Sequence, residues 1–220
     1  ILNTVDENTK IIFLCSPNNP TGNSFTDSSV IKILNSFNGL VVLDEAYIDF
    51  SEDKSWLSVL SDFPNLIITQ TLSKAYAMAG LRIGILYASK EIITVLNKIK
   101  PPYNVNGLSQ DTAIKKLLQS TMPAQVKKII TERKKLIELL ETCEFVVKIY
   151  PSDANFILIK VDNASFRYNQ LLENEIEVRN RSNQPLCENC LRISIGTKEE
   201  NEQVIELIKS INNVQKSIIY

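Results

Sequence analysis

Four short apolar runs alternate with helical or turn-rich segments, and this alternation constrains the fold more than any other feature. The runs are Ile11–Cys15, Leu40–Leu43, Leu66–Thr69 and Ile83–Tyr87. Continuous apolar runs of this length are typical of strands that are buried on both faces. Their alternation with helical patterns such as Asp27–Ser36 predicts an α/β fold with a mostly parallel sheet.

The second half of the chain has a different pattern of predicted helices and strands. Lys90–Lys100 predicts a helix that a Pro-Pro pair stops, and Leu108–Thr142 holds two helical patterns. The later segments predict strands at Phe145–Tyr150, Phe156–Val161, Ile176–Arg179 and Leu191–Ile195, and helices at Ala164–Asn174 and Glu199–Ile211. We therefore predict part of a large domain over residues 1–105 and a smaller α+β domain over residues 106–220.

Composition excludes several classes of function. The 220 residues include no histidine, which excludes Ser-His-Asp and Cys-His catalysis. A net charge of −1 gives no basic face for nucleic acid or for an anionic membrane, and no apolar run approaches the roughly 18–20 residues that span a bilayer. The four scattered cysteines form no disulfide framework, so we expect a cytoplasmic protein.

Three polar clusters follow predicted strands: Asn18–Gly22, Asp44–Tyr47 and Thr71–Lys74. Because ligands bind outside the carboxyl ends of strands in open α/β sheets, we expect the clusters to meet at one edge of the sheet. Each cluster also has a plainer interpretation. The first is a turn rich in Asn, Pro and Gly, and Asp44 alone fits a helix cap or a structural ion pair equally well.

Lys74 follows a strand and is surrounded by small residues. From its position alone, a solvated lysine is the favoured interpretation. Partial burial would lower its pKa and make it a nucleophile toward carbonyl groups. Arg82 and the hydroxyls of Thr71 and Ser73 provide donors for an anion beside this amine. An amine next to an anion site is what an aldehyde-phosphate cofactor requires.

Taken together, the clusters resemble the fold-type I, pyridoxal 5′-phosphate-dependent aminotransferases of class I and II. The matching segments are SPNNPTG at 16–22, DEAYIDF at 44–50, TLSKAYAMAGLRIG at 71–84, PPYNVN at 101–106 and LRISIGT at 191–197. DEAYIDF and PYNVN are most similar to histidinol-phosphate aminotransferases. The resemblance extends from residue 11 to the C-terminus, and it implies the fold-type I architecture.

The resemblance implies a role for four residues around the cofactor ring. Lys74 resembles the lysine that joins pyridoxal 5′-phosphate as a Schiff base and then acts as general acid and base. Asp44 resembles the aspartate that pairs with the protonated pyridine nitrogen. Asn19 and Tyr47 resemble the two residues that hydrogen-bond the 3′-oxygen.

The resemblance also implies two groups of anion-binding residues. Those that match the cofactor's phosphate site are Thr71, Ser73 and Arg82. Those that match the substrate side are Arg179, Arg192 and Asn155. The implied reaction is transamination of histidinol phosphate with 2-oxoglutarate in histidine biosynthesis, which yields imidazole acetol-phosphate and glutamate, in a cytoplasmic homodimer.

Two features of the family, a glycine-rich phosphate loop and an aromatic residue that stacks on the cofactor, normally lie upstream of the NPTG turn, and neither is found here. We therefore expect that an N-terminal portion is missing from the chain and that these residues alone are incomplete as a catalyst.

Three other functions remain open. They are a phosphothreonine-type decarboxylase, the ligand-sensing module of a pyridoxal-phosphate-binding transcription regulator, and an inactive remnant. The CxxC at Cys187–Cys190 fits a redox pair or half a zinc site, but a turn before the strand of Arg192 is favoured.

Overall fold

The computed structural model describes residues 1–218, which divide into two compact units. The first unit contains residues 1–18 and 24–125. The second contains residues 19–23 and the chain from Val126 onward. The short segment 19–23 thus belongs with residues that follow it by more than a hundred positions.

The first unit is built on a four-stranded sheet. Its strands are β1 (Ile11–Cys15), β2 (Leu40–Asp44), β3 (Leu66–Thr71) and β4 (Gly84–Ala88), in the order β1-β2-β3-β4. The first three strands are parallel, and β4 is antiparallel to β3. The predicted mostly parallel α/β sheet is therefore confirmed.

The helices of this unit begin at side-chain caps, which satisfy backbone N–H groups that a first turn leaves without partners. They are α1 (Asp27–Ser36), α2 (Lys90–Ile99) and α3 (Gly107–Leu118), and their caps are Thr26, Ser89 and Asn106. Helix α4 (Met122–Leu140) follows, and its residues from Val126 onward belong to the second unit. Short 3-10 turns cover Leu2–Thr4, Ile48–Phe50, Trp56–Asp62 and Ala79–Leu81.

The core of the first unit lies on one face of the sheet. Ile12, Leu14, Val41 and Leu43 pack there against α1. Burial on both faces is confirmed for β2, where Val42 is also buried. The same prediction is wrong for β1, because the side chains packed on the sheet cover only the face of Ile12 and Leu14. On the other face, Phe13 of β1 is 70% exposed.

The second unit contains an antiparallel sheet. Its strands are β5 (Val146–Ile149), β6 (Phe156–Val161), β7 (Arg179–Asn180) and β8 (Cys190–Ser194), in the order β5-β6-β8-β7. Helices α5 (Ala164–Leu172) and α6 (Lys198–Ile218) complete the α+β arrangement. Its core includes Leu136, Ile157, Leu191 and Ile208, each at most 2% exposed.

The strand predicted at Ile176–Arg179 is displaced. The N–H groups of Glu175 and Ile176 donate to the carbonyls of Leu172 and Leu171, which extends the end of α5. Glu175 has a φ of 62°, in the left-handed region that ends helices. The chain therefore reaches the sheet only at Arg179.

Helix α3 lies in the first compact unit, and the second unit begins again at Val126. The sequence-based boundary between residues 105 and 106 assigned α3 to the smaller domain. The domain boundary at residues 105 and 106 stays a prediction.

Candidate active site

Asp44 is the last residue of β2 and is half-buried. Its carbonyl accepts a hydrogen bond from the Ser16 N–H at 2.9 Å, and its Oδ1 accepts one from the Ala46 N–H at 3.1 Å. The second bond makes the chain turn directly after the strand. Tyr47, which is buried, then begins the 3-10 turn Ile48–Phe50. A backbone hydrogen bond therefore fixes the Asp44 carboxylate at the start of the second cluster.

The third cluster follows β3. Thr71 Oγ1 donates to the Ile83 carbonyl at 3.3 Å and accepts from the Ser73 N–H at 3.1 Å, so this hydroxyl shapes the turn. Lys74 is exposed, which means that the partial burial considered for it is not observed. Its Nζ lies 5.2 Å from the centroid of the Tyr47 ring, a cation–π contact. The second and third clusters are therefore in contact through Lys74 and Tyr47.

Arg82 ends the 3-10 turn Ala79–Leu81 in the left-handed conformation, with a φ of 56°. Its Nη1 donates to the Ala79 carbonyl at 3.0 Å. This bond uses one of the five N–H donors of the guanidinium group. The side chain is exposed and is carried by the loop that connects β3 to β4.

In the second unit, Arg179 of β7 and Arg192 of β8 are directly opposite each other. Side chains in such a pair leave the sheet on the same face. The Arg192 guanidinium lies 5.1 Å from the centroid of the Phe156 ring, and Arg179 forms an ion pair with Glu177. Asn155 accepts a hydrogen bond from the Ile195 N–H at its backbone carbonyl, at 2.9 Å.

The turn that contains Asn19 is held within the second unit. Arg192 Nη1 donates to Asn19 Oδ1 at 2.7 Å, and the Asp153 N–H donates to the Gly22 carbonyl at 2.7 Å. Gly22 has a φ of +85°, and a Cβ there would lie 2.7 Å from Ser152 Oγ, so only glycine fits. The structure thus groups Asn19 with Arg192, Arg179 and Asn155, and groups the other six predicted site residues in the first unit.

Comparison with known proteins identifies the family. The model of the family "Aminotransferase class I and II" matches residues 1–208. The chain belongs to this family. The fold-type I architecture expected from the sequence is confirmed with it.

Curated proteins of this family are similar to the chain over most of its length. It is 71% identical over 211 residues to the histidinol-phosphate aminotransferase of Flavobacterium psychrophilum, a match that covers 96% of this chain and 61% of the relative. The chain thus spans about three fifths of the length of that curated relative.

Two solved structures are similar to the chain over most of its length. The histidinol-phosphate aminotransferase from Clostridium acetobutylicum superposes with a TM-score of 0.85 at 26% identity, over 93% of this chain and 64% of that one. The enzyme from Sinorhizobium meliloti, solved in complex with pyridoxal-5′-phosphate, has a TM-score of 0.80 at 25% identity, over 93% and 59%.

The CxxC segment, Cys187–Cys190, forms a turn. Cys187 and Cys190 are both buried as free thiols, and the Cys190 N–H donates to the Cys187 carbonyl at 3.0 Å. Burial raises the pKa of the Cys190 thiol, which disfavours the thiolate that redox or zinc chemistry needs. Within residues 1–218, no three His, Cys, Asp or Glu side chains converge as metal ligands, and no helix is long and apolar enough to cross a membrane.

Glu45 is a residue that sequence reasoning missed. It lies within the DEAYIDF motif, yet only its neighbour Asp44 was given a role. It is 1% exposed, and three donors surround its carboxylate. The only available signal was a second carboxylate directly after a buried strand. Burial, and then the charge of Glu45, raise the pKa of the nearby Asp49 carboxyl.

Proposed function

We propose that this protein transfers an amino group from histidinol phosphate to 2-oxoglutarate with pyridoxal 5′-phosphate as cofactor. The observation that carries the proposal is the contact between Lys74 and Tyr47 at the ends of adjacent parallel strands, with Asp44 three residues before Tyr47. The high identity to proteins named histidinol-phosphate aminotransferase supports the choice of substrate.

The donor set of the first unit fits this cofactor. An aldehyde requires an amine, and Lys74 is the amine. A basic ring nitrogen requires an anion, and Asp44 is a half-buried carboxylate at a strand end. A phosphate requires hydroxyl and guanidinium donors, and we assign these to Ser73 and Arg82, with Thr71 shaping the turn between strand and lysine.

When bound, pyridoxal 5′-phosphate supplies an electron sink for the carbon that bears the substrate amine. Asp44 holds the proton on the ring nitrogen, which keeps that sink effective. Tyr47 and Asn19 donate hydrogen bonds to the 3′-oxygen. Lys74 removes the proton from the substrate carbon that bears the amine, acting as the general base in a chain that has no histidine.

The substrate's anionic group binds to the second unit in this proposal. Arg192 and Arg179 share one face of the sheet, and a pair of guanidinium groups binds a phosphate or a carboxylate through forked hydrogen bonds. Asn155 lies one residue before β6, which carries the Phe156 ring beneath Arg192. A transaminase must bind a phosphorylated amino alcohol and glutamate in turn, so a pair that accepts either anion suits the reaction.

We also propose the setting of the enzyme. Residues 1–105 form part of the large cofactor-binding domain and residues 106–220 form the small domain of a homodimer. Free thiols at all four cysteines fit the reducing cytoplasm.

A coupled assay tests the function in the polypeptide as its gene encodes it. With histidinol phosphate and 2-oxoglutarate, we expect glutamate to form in step with substrate loss. Release of CO2 from a phosphorylated amino acid without glutamate would identify a decarboxylase instead. Cofactor binding with neither product would favour the regulatory module, and absence of both binding and turnover would indicate an inactive remnant.

A further inference from the structure

Among the residues that the structure describes, Glu45 carries the only buried carboxylate. A carboxylate that leaves water loses its hydration, so it is retained only where hydrogen bonds replace that hydration. Here protein donors contact both oxygens. Oε1 accepts from the Trp56 N–H at 2.7 Å, and Oε2 accepts from Ser55 Oγ at 2.6 Å and from Gln70 Nε2 at 2.8 Å.

These three donors come from two different elements. Ser55 and Trp56 lie at the start of the 3-10 turn Trp56–Asp62, and Gln70 lies on β3. Ser55 Oγ also lies 3.3 Å from Gln70 Nε2, which closes the network on itself. Glu45 therefore joins the end of β2 to β3 and to a loop that lies ten residues further along the chain.

The backbone of Glu45 is fixed as firmly as its side chain. Its N–H donates to the Thr69 carbonyl at 2.8 Å, and its carbonyl accepts from the Ile48 N–H at 3.1 Å. Asp44 directly precedes it and Tyr47 lies within the turn that this second bond closes. Any shift of Glu45 must therefore move the carboxylate of Asp44 and the ring of Tyr47 together.

We infer that Glu45 is a positioning residue that holds Asp44 and Tyr47 in the orientation that the cofactor requires. The inference rests on the proposed function, because it assigns Asp44 and Tyr47 to the cofactor ring. Glu45 itself touches neither cofactor nor substrate in this role. It acts through the turn, much as a second layer of hydrogen bonds holds the groups that contact a ligand.

The test is Glu45→Gln in the polypeptide as its gene encodes it. Glutamine has the same shape, but it places an NH2 group against the donors of Ser55 and Gln70. We expect an affinity for pyridoxal 5′-phosphate that is about tenfold weaker and a kcat that is about 10- to 100-fold lower, since displacement by about 1 Å costs that much. The KM for substrate should change less than about twofold, because that binding lies with the arginines.

Three companion variants keep the test decisive. Glu7→Gln removes the same charge from an exposed position of the same unit and should leave affinity and kcat unchanged. Glu45→Gln combined with Gln70→Glu exchanges the partners and should recover most of the affinity. Ser55→Ala removes one donor, and should produce a smaller loss in the same direction if the Glu45→Gln protein does not fold.

Affinity is measured by titrating cofactor absorbance, and stability by thermal unfolding. A Glu45→Gln protein that unfolds at a lower temperature but binds cofactor and turns over normally would show a purely structural role and overturn the inference. So would a double variant that recovers stability without affinity. Because cofactor titration needs no substrate, a wild-type protein that binds cofactor without transaminating overturns only the proposed function.

Discussion

The two sheets carry their proposed functional groups in different ways. In the first unit, Asp44, Tyr47 and Lys74 lie at or beyond the ends of parallel strands, on turns shaped by hydrogen bonds. In the second unit, Arg179 and Arg192 lie within antiparallel strands, where cross-strand register alone sets their spacing. A turn can orient a reacting side chain in many ways, whereas paired strands hold two charged residues at a fixed separation. We therefore expect variants of the first unit to lower kcat and variants of the second to raise KM.

The largest effect on this difference between the two units is expected for Lys74→Ala. We expect loss of the absorbance band of covalently bound cofactor and a fall in kcat of about 10³-fold or more, because the amine both binds the cofactor and moves the proton. Lys54→Ala, an exposed lysine of the same unit, is the control. Borohydride reduction that labels another lysine would refute the assignment.

Asp44→Asn should have the next largest effect. The amide keeps the hydrogen bond to the Ala46 N–H but loses the charge that holds the ring nitrogen protonated. We expect cofactor to remain bound while kcat falls about 100-fold, as is common when one preorganised electrostatic group is removed. Absorbance titration and steady-state kinetics measure the two quantities separately. Unchanged kcat would count against the role.

The next prediction concerns substrate binding by Arg192 and Arg179 of the second unit. Arg192→Lys should raise the KM of both substrates about 10- to 100-fold, since a lysine cannot form the forked pair of charged hydrogen bonds. Arg179→Lys should raise KM less, because Arg179 also pairs with exposed Glu177. An unchanged KM with a lower kcat in either variant would mean that the two sheets do not divide binding from chemistry.

The smallest effect concerns stability of the second unit at low pH. Hydrogen bonds from buried Arg167 hold the pKa of Asp162 below its usual 3.8. A carboxyl with a lowered pKa stabilises the fold above that usual value, and the stabilisation is lost as pH falls through the lowered pKa. Between about pH 5 and pH 3, thermal unfolding should therefore shift more in the wild type than in Asp162→Asn. Equal shifts would contradict this.

Much of the fold could be predicted from the sequence because burial is periodic and caps are local. The runs at Ile11–Cys15 and Phe156–Val161 gave strands with those bounds. Other features depend on contacts that no local pattern records. The exposed face of Phe13 depends on what packs against the sheet, and the late start of β7 depends on a left-handed residue at Glu175.

The residues of the candidate site also differ in whether the sequence could predict them. Asp44 and Lys74 could be proposed because the motifs that contain them resemble those of a known family, whereas their positions alone favoured a solvated lysine and left a structural role for the aspartate open. Glu45 could not, because its partners Ser55 and Gln70 lie 10 and 25 residues away and are ordinary polar residues in isolation. The opposition of Arg179 and Arg192 is likewise a matter of register, which follows from strand pairing and not from their separation in sequence.

The turn at residues 19–23 has a consequence for how the chain is made. Its bond from Arg192 to Asn19 spans 173 positions, and its bond from Asp153 to Gly22 spans most of the chain as well. A ribosome that adds about 5–20 residues per second releases the turn many seconds before it releases β8. The turn must therefore wait, without its Arg192 partner, until β8 has been synthesised. Among the predicted cofactor contacts, Asn19 is synthesised first and obtains its arginine partner last.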